Sequence, residues 1–240
     1  MSRFLTVILL LFIIFLSSCA LKPSKPSEDI QKDAEYNYKM GISSLNEGNI
    51  KMAYVQLHKA YELDPNNKDI LNGLGIVFMQ LGENERAMAL FRRVIEIDGR
   101  NSEAYNNIGV INLQKGNYEE AVQVFSKALN NPLYQYPERA YYNLGTAYYR
   151  MKKYDDAIRS FQSSIRLVSD FFLSYYGLAL AWNKKGYYGN AINTLIMAIA
   201  LDGKYKGNME LYKKDMIQKL LQSSGMEAED ISDYLEIMKF

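Results

Sequence analysis

The chain has 240 residues, with Lys plus Arg at 28 against Asp plus Glu at 27, so it lacks the basic excess that marks nucleic-acid partners. A single histidine, His58, and a single cysteine, Cys19, leave too few parts for a histidine metal site, a Cys/His catalytic pair or an intrachain disulfide. The length suits one domain with a sizeable core.

At the N-terminus, Arg3 precedes a run from Phe4 to Leu16 that is apolar except for Thr6. That is the length of a secretory h-region and short of the roughly 20 residues of a membrane span. Leu16-Ser17-Ser18-Cys19 follows, and it resembles a bacterial lipobox. The resemblance implies that residues 1–18 are a lipoprotein signal peptide and that Cys19 carries diacylglycerol and a palmitate-type acyl chain on its new amine. One acyl chain anchors a protein marginally and two anchor it stably, so three would be lasting. Ala20, where a retention signal would place Asp, implies the periplasmic face of the outer membrane of a Gram-negative bacterium. The alternative is an uncleaved N-terminal anchor with an incidental cysteine. Residues 19–32 contain Pro23, Ser24, Pro26 and Ser27 without apolar periodicity, and read as a flexible tether.

From residue 33 the chain repeats itself. Gly41, Gly75 and Gly109 stand 34 residues apart, Gly145 follows after 36, and Ala179 after a further 34. In that register Ala53, Ala87, Ala121, Ala157 and Ala191 share a column, as do Leu57, Phe91, Phe125, Phe161 and Leu195. Met40, Leu74, Ile108, Leu144 and Leu178 form another, and Gly48, Gly82, Gly116, Lys152 and Gly186 a fourth. The units are 34–67, 68–101, 102–135, 138–171 and 172–205. Together these columns resemble the tetratricopeptide repeat. The expected fold is all-α: helical hairpins whose apolar stripes are buried only by stacking on the next unit, wound into a right-handed superhelix. Small residues at the Gly and Ala columns let paired helices approach, and the last Gly column ends each first helix in a left-handed turn that suits Lys152 poorly. Residues 206–240 keep none of the columns and read as a degenerate sixth repeat of capping helices. Met209, Tyr212, Met216 and Leu220 lie on one face there.

No phosphate loop, zinc spacing or nucleophile elbow is present in the sequence, so no enzyme, small-molecule substrate, metal or cofactor is expected beyond the lipid on Cys19. The tetratricopeptide resemblance implies that binding uses the inner places of the first helices. Those places hold Tyr38, Ile42 and Leu45 in the first unit, Asn72, Ile76 and Met79 in the second, and Asn106, Asn107, Val110 and Leu113 in the third. Tyr142 and Asn143 hold them in the fourth. An apolar floor flanked by amides would suit an apolar helix or strand of a protein partner. The carboxylate clamp of chaperone-tail-binding relatives is missing, because its places hold Tyr38, Ile42, Gly73, Glu103 and Asn107.

The register breaks at "NNPLYQYPERAYYNLG", residues 130–145, where Pro132 and Pro137 would stop one helix and delay the next. A lipobox, a short tether, tetratricopeptide units and this break, with Leu133-Tyr134 and Pro137-Glu138, together resemble the pilotin lipoproteins of type IV pili (PilF/PilW/Tgl-like). That resemblance implies a non-catalytic assembly factor that binds subunits of the pilus secretin and promotes their localisation and multimerisation at the outer membrane. The groove, or Tyr134 and Tyr136 of the loop, would supply the grip. The alternative is a general periplasmic scaffold, an adaptor for peptidoglycan enzymes or proteases or an outer-membrane assembly factor.

Overall fold

The structure is a computed structural model and describes residues 28–240. The expected signal peptide, Cys19 and the expected tether as far as residue 27 lie outside the described residues. Those that are described form twelve helices and no strand: α1 Glu28–Asn46, α2 Ile50–Leu63, α3 Lys68–Gln80, α4 Asn84–Ile97, α5 Ser102–Gln114, α6 Tyr118–Leu129, α7 Pro137–Arg150, α8 Tyr154–Leu167, α9 Phe172–Lys184, α10 Tyr188–Leu201, α11 Met209–Leu220 and α12 Gly225–Ile237. They fall into two compact units, one ending at Ile70 and the other spanning Leu71–Phe240. Among the described residues no helix is long and apolar enough to cross a membrane.

The first unit is built on the α1–α2 hairpin. A Cβ on Gly41 would lie 2.5 Å from the Leu57 side chain, so only glycine lets the two helices meet at this distance. Ala34, Ala53, Leu57 and Ala60 are its buried core. The Asn49 side chain caps α2 by accepting from the Met52 N–H at 3.1 Å. The tether was expected to reach residue 32, whereas α1 starts at Glu28. No proline follows Pro26 in this stretch, Glu28 and Asp29 sit in the first turn where the helix dipole favours acids, and Lys32 pairs with Glu28 at 2.8 Å. His58 is half-exposed between Tyr54 and Tyr61, with its Nδ1 3.6 Å from Glu62.

In the second unit the same device recurs three times. A Cβ on Gly75, Gly109 or Gly145 would fall 2.4–2.7 Å from the ring of Phe91, Phe125 or Phe161 respectively. Phe161 is wedged twice, since a Cβ on Gly177 of α9 would stand 2.5 Å from its ring as well. The alanine column, Ala87, Ala121, Ala157 and Ala191, is fully buried. Side-chain hydroxyls tie the fourth repeat to the fifth: Ser174 donates to Ser164 at 2.7 Å, and Ser164 to the Glu138 carbonyl at 2.8 Å. Tyr105 and Tyr175 each reach a carbonyl six residues back, on Gly99 and Ser169, which places these tyrosines in structural service.

Each first helix ends in a left-handed turn. Gly82, Gly116 and Gly186 have φ of 77°, 79° and 79°, and Lys152 adopts the same conformation at 60°. Its N–H donates to the Tyr149 carbonyl at 2.9 Å, just as Gly116 donates to Leu113. The helix ending thus outweighs the side-chain clash that a left-handed residue suffers, and Lys152 carries that cost.

The C-terminal segment was expected to cap the open end of the array. α11 packs on the last repeat, where Tyr212 and Met216 join Ala191, Leu195 and Ile199 of α10 in one core cluster. α12 takes a different course, turning back to pack against α9, α10 and α11 and reaching Tyr149 and Arg150 at the end of α7. Phe240 then stacks on Tyr188 with centroids 4.4 Å apart.

Replacing Lys152 with glycine should relieve the left-handed strain and raise unfolding free energy by about 0.5–1 kcal/mol, net of glycine's extra chain entropy. Urea denaturation of the two proteins measures it, and a Lys152→Gly variant no more stable than the parent would show that the turn is unstrained.

Candidate protein-binding face

The inner places implied for the first helices can be followed unit by unit. In the first unit Tyr38, Ile42 and Leu45 are half-buried along α1. Tyr38 lines a cleft of about 480 Å3 with Glu35, Lys39, Asp64, Asn67 and Ile70. In the second unit Ile76 and Met79 of α3 are likewise half-buried. Val110 and Leu113 of α5 pack partly against the core cluster of Ala121, Phe125, Leu144 and Ala147, so they are shared between floor and core.

The amides are engaged with one another. Asn72 is 7% exposed, donates through Nδ2 to Glu103 at 3.0 Å and accepts at Oδ1 from Asn107 at 3.3 Å. Asn106, 9% exposed, accepts from Asn143 at 3.0 Å. The row expected to hold a ligand backbone therefore runs from repeat to repeat and fixes their register, with both ends of the Asn72 amide used. A buried amide paired in this way is satisfied, and breaking one member strands the other.

Tyr142 is folded into the protein. Its ring lies 6.0 Å from Phe161 and 5.8 Å, edge-on, from Phe171, and burial pushes its phenol pKa up. Together with Tyr176, Tyr212, Tyr234 and Asp230 it lines a cleft of about 340 Å3 beneath α12. The inner face of the fourth and fifth repeats is thus already covered by this chain's own C-terminus. Two residues that sequence reasoning overlooked hold it there. Arg150 reaches Asp230 through both Nη atoms, with Nη1 to Oδ1 at 2.9 Å, and Lys184 reaches Asp233 at 2.6 Å. They occupy the same place in consecutive repeats, where the first three units have Asn46, Gln80 and Gln114. That switch from neutral to cationic was the available signal.

The break in register separates its two tyrosines. α6 ends at Leu129, and α7 starts on Pro137, whose missing N–H costs nothing at a helix's first position. Between them Asn131 pins the chain to the preceding repeat, donating to the Arg100 carbonyl and to Ser102 Oγ, both at 3.1 Å, while its Oδ1 accepts from the Leu133 N–H at 3.0 Å. Tyr134 turns inward, and burial, followed by the nearby Glu103 and Glu138 carboxylates, raises its phenol pKa. Leu133 is 88% exposed and Tyr136 37%, the latter lying under the Arg139 guanidinium at 4.6 Å. Tyr136 and Leu133, rather than Tyr134, face outward. The neighbouring cleft, about 560 Å3, is lined by Arg100, Tyr105, Lys127 and Pro132.

Three family models of the tetratricopeptide repeat match the chain, over residues 44–108, 100–170 and 142–205. Among solved structures, 88% of the chain aligns with 99% of PilF from Pseudomonas aeruginosa, at 25% identity and a TM-score of 0.67. A structure of MamA aligns over 69% of this chain and 95% of its own, at 26% identity and TM-score 0.56. MamA from Desulfovibrio magneticus RS-1, at 21% identity, TM-score 0.58 and coverage of 71% and 95%, shares the fold. No curated protein sequence matches the chain.

Asn72→Ala should cost about 1–2 kcal/mol, because it removes two hydrogen bonds between repeats and leaves the half-buried Asn107 amide without its acceptor, whereas Leu133→Ser at the loop tip should change stability by less than about 0.5 kcal/mol. Thermal melts of both variants decide whether the amide row is structural; an Asn72→Ala protein as stable as the parent would mean that it is not.

Proposed function

We propose, from the premise that this chain belongs to the tetratricopeptide-repeat family across residues 44–205, that it is a pilotin: a lipoprotein that carries type IV pilus secretin subunits to the outer membrane and promotes their multimerisation. The repeats make the protein an interaction scaffold. The finer reading is carried by the likeness to PilF, which runs over almost the whole of both chains rather than over a few generic repeats. The register break at 130–137 and the lipobox ending at Cys19 support it from the sequence.

On this reading the work is divided by chemistry. Lipid on Cys19 supplies the address, at the periplasmic face of the outer membrane, and the folded body supplies the grip. The open aliphatic floor of α3 and α5, with Ile76, Met79, Val110 and Leu113, offers an apolar stripe for a partner helix or strand. Leu133 and Tyr136 of the 130–137 loop add exposed apolar contacts, and an aromatic residue flanked by Arg139 is a composition common at the centres of interfaces. No step of bond chemistry is required of the protein; binding free energy alone would direct assembly.

Deleting the gene and examining unboiled outer membranes tests the proposal. Secretin is expected to remain monomeric or to be lost from the outer membrane. A heat-resistant secretin multimer persisting there at its normal level would refute the pilotin reading.

A further inference from the structure

The inner face of the compact unit Leu71–Phe240 is divided into two chemistries. At the fifth and thirteenth places of the repeat, units two and three carry Asn72 and Gln80, then Asn106 and Gln114. Units four and five carry Tyr142 and Arg150, then Tyr176 and Lys184. The aromatic-cationic half is the half on which α12 lies. α12 has the complementary composition: Glu227, Glu229, Asp230, Asp233 and Glu236 without a Lys or Arg between Gly225 and Met238. Its two groove-facing carboxylates are one helical turn apart and meet cations one repeat apart, Asp230 at Arg150 and Asp233 at Lys184. Asp233, 7% exposed, also accepts from the Tyr149 hydroxyl at 3.4 Å. Tyr234 lies edge-on to Tyr176 at 5.7 Å, and Ile231 and Ile237 are buried in the adjoining core. The covalent link from α11 to α12 is short and exposed: residues 221–224, with Leu221 83% exposed and Gly225 at φ 58°.

From this we infer that the inner face of repeats four and five is a receptor for an acidic amphipathic helix, that α12 is its resident occupant, and that a partner helix with two carboxylates three residues apart followed by an aromatic residue displaces it. The inference does not depend on the pilotin reading. A helix tethered by four residues competes at high effective concentration, so the groove is closed to weak ligands and opens to a helix of matching chemistry. Paired carboxylates and cations give the seat its direction and selectivity, because an unpaired half-buried charge on either side disfavours any helix of different pattern. The neutral half, units two and three, stays available while α12 is seated.

The probe is a fluorescein-labelled peptide of residues 222–240, and the receptor is the full chain. In the Asp230→Asn/Asp233→Asn variant the resident helix is weakened while every groove residue is kept, so the peptide should bind about tenfold tighter or better than to the parent. Adding Arg150→Gln and Lys184→Gln should abolish that gain. A folded Asp230→Asn/Asp233→Asn protein that takes up no peptide, or takes it up equally well after the cations are removed, overturns the inference. A dimer that grows with concentration and exchanges α12 between copies overturns the assignment to a partner. Amide hydrogen exchange on the unaltered protein supplies a test free of any folding defect. The α12 amides should exchange much faster than those of α7 and α9; exchange of α12 only together with those helices would mark it as a fixed cap and defeat the proposal.

Discussion

The fold depends on one close approach. Where the second helix of a repeat inserts Leu57, Phe91, Phe125 or Phe161, the first helix has no side chain at all, and a single added carbon would stand well inside van der Waals contact. Overpacking of that kind costs about 1–3 kcal/mol per site, so the glycine column is a condition of the hairpin rather than a preference. Hairpin spacing sets how repeats stack, and stacking sets which first-helix residues come to lie side by side. The amide row from Asn72 to Asn107 and from Asn106 to Asn143 exists because this spacing is repeated with little drift.

With the glycine seats alike from repeat to repeat, the inner places of the first helices are where the repeats differ. The inner places change from amide and aliphatic in the second and third repeats to tyrosine and cation in the fourth and fifth. The two-residue lengthening at 130–137 falls at the boundary between these halves. Asn131 ties it to the repeat before it and Pro137 opens the helix after it, while Leu133 is presented outward.

Much of this architecture was legible in the sequence, because it is local and periodic. The Gly, Ala and Phe columns recur at a fixed interval, and Lys152 could be recognised as the residue forced into a glycine's conformation. The features that escaped are those that periodicity does not record. α1 begins earlier than the tether reading allowed, since an acidic first turn and one ion pair suffice to extend a helix that has lost its prolines. The asparagines looked like free donors, but their partners lie a full repeat away. α12 meets Tyr149 and Arg150 some eighty residues earlier in the chain, and its only trace in the sequence is a change from Gln to Arg and Lys at one repeat position. Tyr134 and Tyr136, indistinguishable as letters, are separated by the turn that Asn131 fixes.

On the proposed function, the repeat body itself grips the secretin. Amide hydrogen exchange of the purified chain with and without soluble secretin subunit tests it. The account predicts protection on the inner side of α3 and α5 and across residues 130–137, with the outer faces of α4 and α6 unchanged. Binding that leaves α3, α5 and the loop unprotected, or no binding at all, would contradict it.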